Sequence, residues 1–458
     1  MRKIILLLPL ISFLFCSCKE EAPMDKKQFT LITLDPGHFH AALVQKSMLD
    51  GVDSTVYVYG PSGNDLDMHL NRIKNYNSRP DLPTHWNEIV YNQPDYLEKM
   101  ISDKKGNVVV ISGNNRIKAD YIYKSLEAGL NVFGDKPMII RYNDFGKLKA
   151  SFELAKQKNV LLYDIMTERY EMATHLQKVF SMNPEIFGTL VDGTSKEPAI
   201  TIESIHHFYK YVSGSVLVRP QWFLDVDQQG EGIVDVMTHL ADLVQWECFP
   251  NQIIDTSDIN IREAKRWPTA LSYNQFYTIT KSTEVPPFLK KNIVGDSILQ
   301  VFSNGEINYS IKGKHARIIS IWNYQAPEGG ADTHYCMMRG TASNLIIRQG
   351  IPEKYIPTLY IEPAPGKMDS IKMAIDNQMK IVEKELPGLA IETVGNQIKL
   401  VIPPVLQEGH EAHFAQVMKK FLGYLEHHDM PSWEVPNMIS KYYTTTKALD
   451  MAITSTGK

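Results

Sequence analysis

The chain has 458 residues, with 48 lysines and arginines against 52 aspartates and glutamates and a net charge of −4. A mildly acidic chain without a basic cluster argues against nucleic acid as a partner, and four cysteines without a C-x-x-C pair give neither a disulfide framework nor a cysteine metal site. The core must come from packing, and the length is ample for two domains.

In chain order, Met1-Arg2-Lys3 precedes an apolar run from Ile4 to Phe15, the charged and hydrophobic regions of a signal peptide. The run is shorter than the roughly 20 apolar residues of a spanning helix. Ser17-Cys18 closes it and looks like a bacterial lipoprotein cleavage site, so Cys18 is the expected lipid anchor and the only membrane contact. Residues 1–18 are then leader and lipobox, and the charged residues 19–27 a tether. Lys19-Glu20-Glu21 resembles a surface-export tag; the expected location is the outer membrane of a Gram-negative bacterium, on its periplasmic or outer face.

From Phe29 to Ile165 short apolar runs alternate with amphipathic segments, which predicts an α/β domain over residues 28–165 with a doubly wound parallel sheet. Ligands in such sheets sit at the carboxyl ends of the strands, here the turns at Asp35–His40, Tyr59–Asn64, Ser112–Arg116 and Gly134–Pro137. A dinucleotide fingerprint wants glycines at the first, third and sixth places of the first turn and an acidic residue about 20 positions on. Only the middle glycine, Gly37, is present. Asp35 and His40 take the other places, and Tyr57-Val-Tyr59-Gly60 stands where the acidic residue belongs.

Residues 166–458 are expected to form a second, α+β domain. Thr189–Thr194, Ala199–Phe208, Ile259–Ala264, Tyr273–Thr280, Ile298–Ile311, Ala316–Trp322, His334–Gly340 and Leu345–Arg348 read as strands of an open, mainly antiparallel sheet, with a hairpin turn at Asn304-Gly305. Gly230–Trp246 reads as one helix that puts Asp235 and His239 one turn apart on the same side. Ser370–Glu385, Gly409–His428 and Pro436–Ile453 read as further helices. Gly409-His410-Glu411-Ala412-His413 lacks the two residues that zinc proteases place between Glu and the second His, so it reads as a polar helix start, and no metal site is expected.

Four stretches in this order resemble the Gfo/Idh/MocA family of sugar and inositol oxidoreductases: Val108–Pro137 ending in Asp135-Lys136-Pro137, Glu168-Arg169-Tyr170, Arg219-Pro-Gln-Trp222 with Gly230–Asp242, and Met338–Leu345 with its Gly-Thr turn. Asp135 is one methylene shorter than the family's Glu. The resemblance implies a Rossmann-type first domain holding NAD or NADP through Gly37, His38, Phe39, His40, Tyr59, Ser112, Asn114, Asn115 and Asp135. It also implies Lys136, Asp235 and His239 as catalytic groups, with His239 the base for a carbinol proton, Lys136 stabilising the alkoxide, and Asp235 orienting the sugar or the imidazole. Arg169, His206, His207 and Trp222 are the substrate-binding candidates, a sugar is the expected small-molecule partner, and a homo-oligomer is expected by family analogy. Free cofactor is not expected outside the inner membrane, so an exported member would retain and recycle its dinucleotide. The alternative is a redox-inactive carbohydrate-binding or scaffold lipoprotein that has kept the fold.

Overall fold

The computed structural model describes residues 28–212, 215–295 and 297–456; the expected leader, Cys18 and the tether lie outside them. None of the described helices is long and apolar enough to cross a membrane.

The N-terminal unit alternates β1 (Leu31–Leu34), α1 (His40–Leu43), β2 (Thr55–Tyr59), α2 (Asn64–Ser78), β3 (Asn87–Tyr91), α3 (Tyr96–Asp103), β4 (Val108–Ile111), α4 (Asn115–Glu127), β5 (Asn131–Gly134), α5 (Phe145–Lys158) and β6 (Leu162–Asp164). The strands pair in parallel in the order β3-β2-β1-β4-β5-β6. Strand order reverses between β1 and β4, where a doubly wound sheet opens its ligand crevice. Helices on both faces explain why β1 (LITL) and β4 (VVVI) are almost entirely apolar and wholly buried.

The second unit contains α6 (Met172–Ser181), β7 (Ile200–Tyr209), β8 (Tyr211–Val212), β9 (Ser215–Val216), α7 (Met237–Cys248), β10 (Ile259–Ser272), α8 (Tyr273–Thr280), α9 (Pro287–Lys290), β11 (Ile293–Val294), β12 (Ile298–Ile311), β13 (Lys314–Gln325), β14 (Thr333–Arg339), β15 (Ser343–Gln349), β16 (Thr358–Pro363), α10 (Met368–Val382), β17 (Ala390–Val394), β18 (Gln397–Val401), α11 (His410–His427) and α12 (Glu434–Thr456). Its ten-stranded sheet runs β10-β12-β13-β7-β14-β15-β16-β18-β17, with β11 beside β12. Only the β13–β7 pair is parallel.

Three local expectations are corrected first. Asn304-Gly305 is no turn: both lie inside β12, and a side chain at Gly305 would meet Ile233 at 2.4 Å, so the glycine makes room for that residue. The hairpin turns instead at Lys312-Gly313, both with positive φ. Tyr273–Thr280 is a helix, closed at its start by reciprocal hydrogen bonds between Ser272 and Gln275. Thr189–Thr194 forms only isolated bridges, at Leu190 and Gly193.

The helix bearing His239 begins at Met237, so Asp235 sits in the turn before it. Gly230 has φ +97°, and a Cβ on Gly232 would lie 1.9 Å from the Ser303 carbonyl, so the entry is a glycine turn pressed against β12. The Asp235 N–H nevertheless donates to the Glu231 carbonyl at 2.9 Å.

The C-terminal helices return to the first domain. Phe414, Val417, Met418, Phe421, Met438 and Tyr442 belong to its core, while Ala448, Leu449 and Ala452 belong to that of the second. Helix α12 thus bridges both cores.

Candidate active site

A cavity of about 1080 Å³ opens between the domains. On one side lie residues from the carboxyl ends of β1 and β5: His38, Phe39, His40, Asp135 and Lys136. Asp235 and His239 border it from the α7 entry, and His206, His207 and Trp322 from the large sheet. Glu168, His410 and His413 complete the rim.

Lys136 Nζ donates to Asp235 Oδ1 at 2.5 Å, and both side chains are more than nine-tenths buried. Burial alone raises the Asp235 carboxyl; the Lys136 ammonium outweighs it and holds the group below its ordinary value. Burial, reinforced by Lys136, pushes His239 down to about 3. Its ring is neutral at pH 7, and its Nδ1 is buried without a hydrogen-bond partner, so the nitrogen has unused capacity inside the cavity.

On the opposite side the His206 ring stacks on Trp322 at 5.2 Å and its Nε2 lies 2.8 Å from Ser204 Oγ. His207 Nδ1 lies 2.8 Å from Asp332 Oδ1, and Lys210 donates to the other oxygen at 2.7 Å. Arg219 donates to the Phe208 carbonyl and lies over the Phe223 ring at 4.2 Å. This face is aromatic with anchored polar tips.

Two substrate candidates lie elsewhere. Arg169 is buried in an ion network, donating to Asp242 at 2.6 and 2.7 Å and to Glu434 at 3.1 and 3.2 Å. Lys441 joins it by pairing with Asp164 and Asp242. Arg169 is therefore committed to holding α12 against α7. Trp222 turns away from the sheet side: its Nε1 donates to Asp65 Oδ2 at 2.7 Å, and its ring packs over Gly37.

The turn residues are largely satisfied among themselves. The Gly37 and His38 N–H groups donate to the Ser112 carbonyl at 3.2 and 3.1 Å. Ser112 Oγ donates to Asp135, Asn114 to Gln228, Asn115 to the Gln229 carbonyl and Tyr59 to Asp103. Phe39 packs its ring against His38 and His40. Asp35 has φ +46°, where the fingerprint expects glycine, and accepts from Tyr121 at 2.9 Å. Burial raises its carboxyl above the ordinary value.

Several residues of this neighbourhood escaped the sequence reading. Lys118 is buried on α4 and donates to the Asp135 carbonyl at 2.9 Å. Glu168 lies 3.4 Å from His410 Nδ1. Trp322 and Asp332 lie on the sheet side with no motif to flag them. The histidines of 409–413 had a visible signal, but only the packing of α11 against the turn around Glu168 reveals that they face the cavity.

A family model described as "Putative oxidoreductase C terminal domain" matches residues 176–453, and one described as "Oxidoreductase family, NAD-binding Rossmann fold" matches residues 66–164. The second match begins downstream of the Asp35–His40 turn. Among solved structures, a "putative oxidoreductase" from Parabacteroides merdae is 51% identical, with a TM-score of 0.91, covering 94% of this chain and 98% of that one. One from Thermotoga maritima, at 13% identity and TM-score 0.57, covers 93% and 98%. Levoglucosan dehydrogenase in complex with NADH and levoglucosan, at 12% identity and TM-score 0.56, covers 93% and 97%. The latter two share the fold. No curated protein matches the chain.

The doubly wound fold passes a dinucleotide's pyrophosphate across the β1/β4 crossing, over free N–H groups. Here the Ser112 carbonyl takes those N–H groups, a Cβ on Gly113 would lie 2.2 Å from the Asp35 carbonyl, and Trp222 and Asp65 close over Gly37. These contacts narrow the crossing on its Gly37 side. The end of the crevice at Lys136, by contrast, opens into the cavity.

Proposed function

The chain belongs to the Gfo/Idh/MocA family of oxidoreductases, whose nucleotide domain is an NAD-binding Rossmann fold, and from that premise we propose that it oxidises a carbinol of a sugar or sugar derivative in the cavity between its domains. The observation carrying this reading is the Lys136–Asp235 pair and neutral His239 on one side of a cavity whose other side is the Trp322, His206 and His207 face. Aromatic faces suit the C–H surfaces of a sugar ring, and anchored polar tips suit its hydroxyls.

The ammonium of Lys136 stabilises the oxygen that gains charge as a hydroxyl becomes a carbonyl. Asp235 keeps that ammonium charged and in place. His239 has a free nitrogen to take the hydroxyl proton. Because burial makes its cation costly, the Glu168 carboxylate on the same rim is what eases protonation. Bound nicotinamide supplies the hydride acceptor, which no residue here provides.

Two finer points belong to the same proposal. The apolar run Ile4–Phe15 and Cys18 support export as a lipoprotein, with self-association as a further expectation. Outside the inner membrane a dinucleotide has to be retained and recycled within each turnover, which suits a redox-neutral reaction: transient oxidation, elimination or epimerisation next to the new carbonyl, then return of the hydride.

The Asp35–His40 turn, which lacks the fingerprint glycines and gives its N–H groups to the Ser112 carbonyl, favours a second reading, a redox-inactive sugar-binding lipoprotein. Denaturing the purified full chain and seeking nicotinamide dinucleotide by mass spectrometry separates the two. A stoichiometric yield supports the retained-cofactor enzyme; no release, together with no binding of added dinucleotide, replaces it with the binding protein.

A further inference from the structure

We infer that His38, His40 and Asp135 bind a divalent transition-metal ion of the zinc or cobalt type, with one coordination position open to the interdomain cavity. The inference stands apart from the sugar reading, because metal binding is measured without substrate.

The ligand atoms already converge. His38 Nδ1, His40 Nδ1 and a carboxylate oxygen of Asp135 all lie within 4.8 Å of one another. His40 Nδ1 is 3.0 Å and His38 Nδ1 3.4 Å from the same oxygen, Oδ2. A tetrahedral ion with nitrogen and oxygen ligands at about 2.0–2.1 Å spaces its ligands about 3.3 Å apart. The two measured edges therefore need adjustments of only a few tenths of an ångström.

The second observation is a buried imidazole nitrogen that no hydrogen bond satisfies. His38 Nδ1 is buried and makes no hydrogen bond; Asp135 Oδ2 lies 3.4 Å away. A buried polar atom without a partner costs about 1–3 kcal/mol. An ion among the three atoms would satisfy it.

The surroundings hold the ligands as metal sites require. Ser112 Oγ donates to Asp135 Oδ2 at 2.8 Å, and Lys118 Nζ donates to the Asp135 carbonyl at 2.9 Å. The His40 ring is wedged between Phe39 and Phe414, with centroids 4.5 and 4.6 Å away, and the His38 ring meets it edge-on at 4.0 Å. Among the described residues the Asp135 carboxylate is ion-paired with these two imidazoles alone. The nearby Lys136 ammonium is taken by Asp235.

A comparison inside the same cavity sharpens the assignment. His206, His207 and Asp332 look equivalent on paper, but Lys210 Nζ sits 2.7 Å from Asp332 Oδ2 and serves as the cation there. Beside Asp135 the nearby Lys118 ammonium is held on the backbone carbonyl at 2.9 Å, and among the described residues no lysine or arginine is ion-paired with the carboxylate. Three protein ligands and one vacant position describe a catalytic rather than a structural ion. All three residues border the cavity, so the vacant position suits water or a hydroxyl or carbonyl oxygen of the cavity's ligand.

The test is cobalt(II) titration of the full chain after chelator treatment, followed by the visible absorption of four- or five-coordinate cobalt. One saturable equivalent is expected. His38→Ala and Asp135→Asn should each weaken binding at least tenfold, Ser112→Ala about 10–100-fold, and Asp332→Asn should leave it unchanged. A wild-type chain without saturable absorption overturns the assignment whatever the variants do. So does cobalt binding that survives both ligand substitutions in variants whose melting curves show them folded.

Discussion

The indole of Trp222 and the carboxylate of Asp65 meet at 2.7 Å directly above Gly37, joining the second domain to α2 of the first. A hydrogen bond to a charged acceptor contributes about 1.5–3 kcal/mol. Trp222→Phe keeps the ring and removes the donor, so it should lower stability by up to that amount. It should also speed exchange of added dinucleotide, followed by fluorescence. Unchanged exchange with lowered stability would mean that the contact is structural only.

His239→Ala and Lys136→Ala test the chemistry. Each should reduce turnover by about 10²–10⁴-fold. Asp235→Asn strands the Lys136 ammonium in a buried site, where losing a partner costs about 3–5 kcal/mol; its melting temperature should fall together with its activity. Turnover within a few-fold of wild type in His239→Ala would remove it as the base.

Arg169 separates scaffold from substrate site. Arg169→Ala leaves Asp242 and Glu434 short of their shared cation, and stability should drop by about 3–5 kcal/mol. Urea denaturation reads that loss. A raised KM at undiminished stability would restore Arg169 to the substrate site.

His69 offers a pH test away from the cavity. It is buried on α2 with neither ring nitrogen partnered, and burial pushes it down to about 3 from 6.5. The unfolded chain therefore binds a proton that the folded chain refuses below about pH 6.5, so this group's contribution to stability falls with pH toward 3. The slope is about 1.4 kcal/mol per pH unit. Glu88 and Glu171, raised by burial to about 7, act in the opposite direction, which makes the comparison with a variant the useful one. His69→Leu should be more stable than wild type at pH 5 relative to pH 8, by about 2 kcal/mol in denaturant melts. A difference independent of pH would refute the buried-neutral assignment.

The parallel sheet was legible because most of its strands are short apolar runs joined by amphipathic helices; the polar α2 and the largely exposed β3 (NEIVY) carried no such signal and were not read. Asp235, His239 and Lys136 were legible through the family resemblance, and the structure brings them to one cavity wall. Helix α8 was missed because Tyr273–Thr280 is rich in aromatic and β-branched residues; the Ser272–Gln275 capping pair was the overlooked signal. Arg169 and Trp222 sit in motifs that suggest a ligand, but Asp242, Glu434 and Asp65, distant in sequence, decide where they point. The role of His410 and His413 at the rim depends on where α11 packs, which no local spacing encodes.

Helix α12 has a consequence for the order of events as the chain is made. Tyr442 and Lys441 reach Asp164 at the end of β6, and Met438 and Tyr442 complete the core of the first domain. The opening third of the polypeptide therefore cannot reach its final packing until α12 has been synthesised. Such long-range closure slows folding and prolongs the exposure of apolar strands. A nascent chain of this kind stays threadable until α12 emerges, and a fragment cut before α11 should behave as an aggregation-prone, partly ordered species rather than as an independent nucleotide-binding domain.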